Sequence, residues 1–161
     1  MKETFQVYLR SADAQTGSST PHLCTFDLSA IIPNIDVDRC KVRVSYFDVA
    51  VTSTEFKTGG VSTIMIKLSS AYTKNSYESN DIGSLSNSSL IGVFSTQNVD
   101  NVTNSNVANL QFISVGNIFG GLSTINLVDQ DGGSMASDLA SKSWNMVLDI
   151  EVDLSDDCSC A

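Results

Sequence analysis

Hydrophobic and polar residues alternate along much of the chain, and the clearest stretch is residues 143–154. Successive side chains of a β-strand point to opposite faces of a sheet, so this spacing predicts a strand with one dry and one wet face. The predicted dry face holds Trp144, Met146, Leu148, Ile150, Val152 and Leu154, and the wet face Asn145, Asp149, Glu151 and Asp153, with Val147 as the one exception. Because three acids share the wet face, we expect it to meet water or a basic partner surface.

The same period of two recurs in shorter stretches, separated by polar loops rich in Ser, Asn and Gly. It predicts strands at 4–10, 22–28, 63–68, 90–95, 110–115 and 123–128. Residues 72–89 form the longest predicted loop, and residues 134–142 have room for one short helix. A chain with about eight short strands and almost no helix is typical of a β-sandwich, a jelly roll or a barrel.

A further predicted strand, at residues 40–51, changes its apolar parity half-way. Val42 and Val44 share one parity with Tyr46, and Phe47 and Val49 share the other. Such a switch predicts a β-bulge, or a strand that bends from one sheet toward the other. Four apolar residues of this strand and of the 110–115 strand could face either the core or another subunit, and we favour the core. They are Phe47, Val49, Ile113 and Val115.

Length and charge limit the classes of function. With 161 residues, of which 42% are hydrophobic and 17% charged, the chain is long enough for one globular domain. Its net charge of −9, with scattered Lys and Arg, argues against a nucleic-acid or anionic-membrane partner. No stretch is apolar enough to insert in a bilayer, and the first nine residues lack the hydrophobic core of a secretory signal.

The four cysteines fall in two settings. Cys24 and Cys40 lie in apolar strand contexts, which predicts buried free thiols. Cys158 and Cys160 lie in a polar tail at residues 155–161, where a Cys-x-Cys pair is at best half of a metal site. We interpret the tail as an unstructured end, with crosslinking between subunits as the alternative.

No set of residues predicts catalysis, a cofactor or a metal site. The one histidine, His22, has no nucleophile or orienting acid that the sequence places beside it, so we expect an ordinary histidine at a strand edge. Residues 129–134 begin like a calcium loop but lack the further Asp or Asn before Gly132 and the Glu at the loop's end. A tight acidic turn is the preferred interpretation. We therefore expect that the protein is not an enzyme.

Two other features leave a binding role open. Residues 87–89 and 101–103 are formal glycosylation sequons, of the kind that an Asn- and Ser-rich chain contains by chance. Aromatic residues near the predicted loops offer a platform for stacking sugars, although loop aromatics more often close the open ends of a sandwich. These aromatics are Phe56, Tyr72, Tyr77 and Phe119.

Two segments carry a resemblance to a known family. Residues 5–14 run on to Thr25-Phe26-Asp27-Leu28 and the long strand at 40–51, and residues 123–132, with an Asp-x-Asp-Gly turn, precede the acidic last strand. Over roughly residues 5–154, this arrangement resembles the single jelly-roll minor capsid and penton proteins of large double-stranded DNA viruses of eukaryotes and of their smaller relatives. The resemblance implies an all-β fold, a single jelly-roll β-sandwich of about eight antiparallel strands in two sheets with strand orders BIDG and CHEF.

The resemblance also implies a function. We expect one jelly-roll domain over residues 1–154, followed by the tail at 155–161. The implied role is that of a structural subunit of an icosahedral capsid, placed in the virion beside double jelly-roll major capsid subunits and often forming a pentamer at the vertex. The family's pattern includes no catalytic residues, so none is carried over. The alternative is a carbohydrate- or receptor-binding β-sandwich, such as a lectin-like domain or the head of a viral fibre.

Overall fold

The structure, a computed structural model, is nearly all β-strand. It describes residues 2–17, 19–29, 40–49, 56, 60–68, 72–73, 77–79, 85–96, 111–116 and 121–153. The strands are β1 (Lys2–Arg10), β2 (Leu23–Asp27), β3 (Cys40–Val49), β4 (Thr63–Leu68), β5 (Tyr72–Thr73), β6 (Tyr77–Ser79), β7 (Leu85–Asn87), β8 (Leu90–Ser95), β9 (Ile113–Gly116), β10 (Leu122–Asp129) and β11 (Trp144–Asp153). A single 3-10 turn, Ser11–Asp13, follows β1.

The eight longer strands form two antiparallel sheets. In one, the order is β1-β11-β3-β9, with the two-residue β5 added beside β9. In the other, the order is β2-β10-β4-β8. The short strands β6 and β7 pair only with each other and form a separate two-stranded sheet. When the eight longer strands are lettered B to I along the chain, these orders read B-I-D-G and C-H-E-F, which is the jelly-roll arrangement. The expected fold class is therefore confirmed, and we call the two layers the BIDG sheet and the CHEF sheet.

All eight predicted strands are present, with bounds shifted by up to three residues. Two expectations about the connections are wrong. The long loop predicted at 72–89 contains the short strands β5, β6 and β7. The segment 134–142 forms turns instead of a helix, with one bond of the α-helical spacing, from the amide of Leu139 to the carbonyl of Met135. Both of these side chains are buried, so their packing against the core fixes the turns.

The parity switch in β3 is a β-bulge, as predicted. The pairing of β3 with β11 runs Val44 to Leu148 and then Tyr46 to Val147, which leaves Ser45 as the extra residue. Ser45 and Tyr46 both lie on the outer side, so the buried positions resume at Phe47. The strand stays in the BIDG sheet along its whole length, and the alternative of a bend toward the other sheet is wrong.

The core lies between the inner faces of the two sheets. Phe47 of β3 meets Phe94 of β8 with ring centroids 5.2 Å apart, and Trp144 of β11 meets Phe26 of β2 at 6.0 Å. The sheets approach closely at Gly92, where a Cβ atom would lie 3.2 Å from Cγ2 of Val44. The four residues expected in the core are buried there: Phe47, Val49, Ile113 and Val115.

Candidate functional surface

A buried carboxylate lies on the outer face of the BIDG sheet. Asp149 of β11 is only 3% exposed, and it stands in register between Gln6 of β1 and Arg43 of β3. Its Oδ1 accepts hydrogen bonds from Nε2 of Gln6 at 3.0 Å and from the hydroxyl of Ser45 at 3.1 Å. Its Oδ2 accepts from Nη2 of Arg43 at 2.7 Å and from Nε at 3.3 Å. The Arg43 guanidinium also lies 4.5 Å from the centre of the Phe112 ring.

The hydrogen bonds keep this carboxylate ionised. Burial by itself raises the pKa of Asp149, because desolvation disfavours the charged form. The hydrogen bonds from Arg43, Gln6 and Ser45, together with the Arg43 charge, outweigh burial and hold the pKa below its usual range. The cluster is therefore a closed, satisfied ion pair with both carboxylate oxygens occupied, which fits a role in holding three strands together better than a role in binding a ligand.

The neighbouring acid of β11 is also neutralised within the sheet. Oε1 of Glu151 lies 3.3 Å from Nζ of Lys2 on β1 and 3.7 Å from Nζ of Lys41 on β3. The expectation of a wet face is wrong for Asp149, because long side chains on the two flanking strands cover it. Basic side chains of the chain's own strands contact both acids: Arg43 of β3 contacts Asp149, and Lys2 of β1 and Lys41 of β3 contact Glu151.

A row of apolar side chains crosses the same outer face. Tyr8 of β1 is opposite Val147 of β11, which is opposite Tyr46 of β3. Tyr8 is 59% exposed, whereas the other two are half-buried. The hydroxyl of Tyr46 donates to Oδ2 of Asp48 at 2.7 Å, and this bond is the main reason why its pKa is raised. Oδ1 of Asp48 accepts from the backbone and side-chain nitrogens of Asn145. We call Tyr8, Val147 and Tyr46 the tyrosine row.

At one end of the sandwich, buried hydrogen bonds tie the first loop to the last strand. The amide of Trp144 donates to the hydroxyl of Ser11 at 3.0 Å, and its indole Nε1 donates to the carbonyl of Pro21 at 2.6 Å. The loop between these residues depends on Gly17, which has a φ of +95° and whose Cβ atom would lie 1.9 Å from the carbonyl oxygen of Leu23. Only glycine tolerates both conditions.

The loop after β10 is also held by hydrogen bonds between side chains and backbone groups. The side chain of Gln130 accepts from the amide of Ser62 at 3.1 Å and donates to the carbonyl of Gly60 at 3.1 Å. Oδ1 of Asp129 accepts from the amides of residue 131, at 2.9 Å, and of Gly133, at 2.7 Å. An oxygen directed at backbone amides stabilises a turn, so this geometry favours the tight acidic turn over the calcium loop.

The other residues singled out from the sequence lie apart from each other. His22 is half-buried just before β2, and its carbonyl accepts a hydrogen bond from the amide of Leu127 at 2.8 Å. Cys24 and Cys40 are buried free thiols, as predicted, and burial raises the pKa of Cys24 to about 11 and that of Cys40 to about 12. Cys158 and Cys160 lie outside the described residues.

The one loop aromatic whose side chain is described fits the preferred interpretation, in which these residues close the sandwich, and not the sugar platform. Phe56 is 1% exposed and belongs to the core. Phe119 and the sequon at 101–103 lie outside the described residues, as do the side chains of Tyr72, Tyr77 and Asn87. The exposed aromatic surface of the described chain is the tyrosine row instead. Sequence reasoning missed it because its members lie on three strands and are adjacent only through the strand order.

Neither metal sites nor membrane spans emerge from the described part of the chain. No group of three or more His, Cys, Asp or Glu residues is arranged there to hold a metal ion. No helix among the described residues has the length and hydropathy needed to cross a membrane. In comparisons with known proteins, no family model and no curated protein matches the chain.

Proposed function

We propose that the chain is a structural subunit of an icosahedral virus capsid, at a penton or minor capsid position, and that it acts by packing against other subunits. Its implied neighbours are further copies of itself in a pentamer and double jelly-roll major capsid subunits. The observation that carries the proposal is the strand order, B-I-D-G facing C-H-E-F. Since one fold serves many functions, the strand order supports this role only together with the resemblance in sequence.

The polar contacts at the end of the sandwich add support. A shell subunit needs loops that keep their shape when neighbouring subunits press on them. Here the first loop is bonded to Trp144 through Ser11 and Pro21, and the loop after β10 is bonded to Gly60 and Ser62 through Gln130. Loops held by side-chain bonds to other loops lose little conformational entropy on association, which favours assembly.

The two acids on the outer face of the BIDG sheet already form ion pairs, which favours contact of this face with another protein. Covering an unpaired charge at an interface is costly, because the charge loses its water without gaining a partner. Asp149 and Glu151 already have cationic partners within the sheet. A neighbouring subunit can therefore cover this face without having to supply a matching set of basic residues.

The experiment is the measurement of mass and symmetry in solution. Native mass spectrometry and negative-stain electron microscopy of the purified full chain are expected to show five copies arranged around a fivefold axis. Rings of identical subunits use head-to-tail contacts that close by rotation, so the pentamer should appear as one discrete species and not as an open-ended series. A chain that remains monomeric at every concentration and binds a glycan would overturn the proposal.

A second candidate function, glycan or receptor binding, is favoured by the tyrosine row. Its two tyrosines lie two strand spacings apart, about 10 Å, on an open sheet face. Aromatic side chains on a sheet face can stack against sugar rings. A glycan array with the native chain and the Tyr8→Ala variant tests this function. Binding that disappears in the variant supports it, and the absence of any bound glycan removes it.

A further inference from the structure

Among the described residues, β1 is the last strand of the BIDG sheet on one side. β1 pairs along nine residues with β11 on one side. On its other side, no strand of the described residues pairs with it, and no backbone hydrogen bond of a described turn or loop reaches it. A row of free N–H and C=O groups is a template for pairing with another strand, so natural proteins shorten, charge or cover such edges.

The middle of β1 carries no charged residue, and no described segment pairs with its outer edge. Its charged residues stand near its ends, and the five residues from Phe5 to Leu9 are uncharged. Phe5 and Val7 point to the core but are only partly buried, and Tyr8 on the outer face is 59% exposed. Tyr8 is one of just three exposed large hydrophobic residues in the described part of the chain. The segment from Phe5 to Leu9 thus combines an edge that no described strand pairs with and apolar side chains that are incompletely buried on both faces of the sheet.

We propose that β1 pairs with β1 of a second copy of this chain, antiparallel and across a twofold axis at Val7. In this register Phe5 lies opposite Leu9 of the second copy, and Gln6 lies opposite Tyr8. The inner face pairs apolar residues with apolar residues, and the outer face places no two like charges directly opposite each other. These pairs are the unit of sheet stabilisation.

Charge disfavours the register centred on Gln6, and pairing about Tyr8 would engage only residues 6–10 of β1 instead of residues 4–10. Pairing about Gln6 sets Lys2 against Arg10 at both ends and places Glu3 opposite Leu9. Directly opposed like charges destabilise a strand pair, and a carboxylate opposite an apolar residue loses water without gaining a partner. Pairing about Val7 avoids both penalties and joins the two BIDG sheets into one continuous sheet.

The proposal does not rest on the capsid role, because it follows from the edge alone. Its test is sedimentation velocity over a range of concentrations, with hydrogen exchange of the β1 amides. The native chain is expected to form a dimer, and within Phe5 to Leu9 every second amide, the ones that face away from β11, is expected to gain protection as it does so. The Tyr8→Lys variant removes two symmetry-related Tyr–Gln pairs and places two lysines diagonally across the axis, which should weaken association about tenfold or more.

The matched control is Leu122→Lys. Leu122 is 54% exposed, similar to Tyr8, but lies on β10, between two other strands of the CHEF sheet. This variant should associate as the native chain does. The proposal would be overturned if the native chain and Tyr8→Lys associated equally, or if the native chain associated without added protection in β1. A native chain that stays monomeric at all concentrations would also overturn it. A fivefold ring and an edge-paired dimer differ in mass, so this proposal and the capsid proposal can fail separately.

Discussion

Replacing Arg43 by Met tests the account of the buried carboxylate on the outer face. The change removes two hydrogen bonds to Asp149, at 2.7 and 3.3 Å, and keeps an apolar stem against Phe112. Removing one partner of a buried ion pair costs about 3 to 5 kcal/mol. Because the Arg43 side chain is 33% exposed, water reaches the carboxylate once the guanidinium is gone, and we expect a loss of about 2 to 3 kcal/mol at pH 7.

The cost should also depend on pH. In the native chain the pKa of Asp149 is lowered, so the stabilisation is fully present above the ordinary pKa of Asp and is lost as the pH falls through the folded value. Without the Arg43 charge and its hydrogen bonds, the pKa of Asp149 in the folded variant lies above its native value. The difference in unfolding free energy between native chain and variant should therefore shrink as the pH falls from 7 to about 3, below the ordinary pKa of Asp.

Urea unfolding at the two pH values measures both effects. Lys41→Met is the matched control, because Lys41 lies on the same strand and face and its contact with Glu151 is a partly exposed pair at 3.7 Å. Such pairs contribute about 0 to 1 kcal/mol. If Arg43→Met costs no more than Lys41→Met, or if its cost is the same at both pH values, the buried ion pair does not stabilise the sheet as argued.

Three further predictions concern the interior and the first loop. Gly17→Ala places a Cβ 1.9 Å from a carbonyl oxygen at a φ of +95°, so the free energy of unfolding, measured in urea, should fall by about 2 kcal/mol or more. Trp144→Phe leaves a buried carbonyl without its donor and opens a cavity, and thermal unfolding should show a loss of about 2 to 4 kcal/mol. Cys24 and Cys40 should react with iodoacetamide only as the chain opens, because burial raises the pKa of their thiols to about 11 and about 12. Peptide mapping measures the labelling rate, and labelling of either cysteine as fast as a free thiol would contradict this.

The interior of the fold was predictable because it depends on a local pattern. In β11 the apolar residues recur at every second position, and each of them from Trp144 to Val152 is buried. In β3 even the departure from the pattern was readable, since a single extra residue must shift the parity of all those that follow. The strand order, by contrast, came from the resemblance, because alternation within a strand contains no information about which strand lies beside it.

The outer face was not predictable from the pattern for the same reason. Asp149 has the sequence setting of a solvated residue, between Leu148 and Ile150 on an alternating strand. Its burial depends on Gln6 and Arg43, which are 143 and 106 residues away along the chain. Only the pairing of β11 with β1 and β3 brings these side chains together, and the tyrosine row forms through the same pairing.

The contrast between Asp149 and Tyr8 indicates where function is to be sought on this sheet. Both side chains lie on the outer face, but the burial of Asp149 is explained by the stability of the fold, since Gln6, Arg43 and Ser45 occupy both of its carboxylate oxygens. Tyr8 is exposed, and the described chain gives it no comparable set of partners. A large apolar residue left in water contributes no burial energy to the fold, and an unpaired sheet edge promotes unwanted pairing. The proposed second copy answers both points, because it covers Tyr8 and pairs with the outer backbone groups of β1 in the same contact.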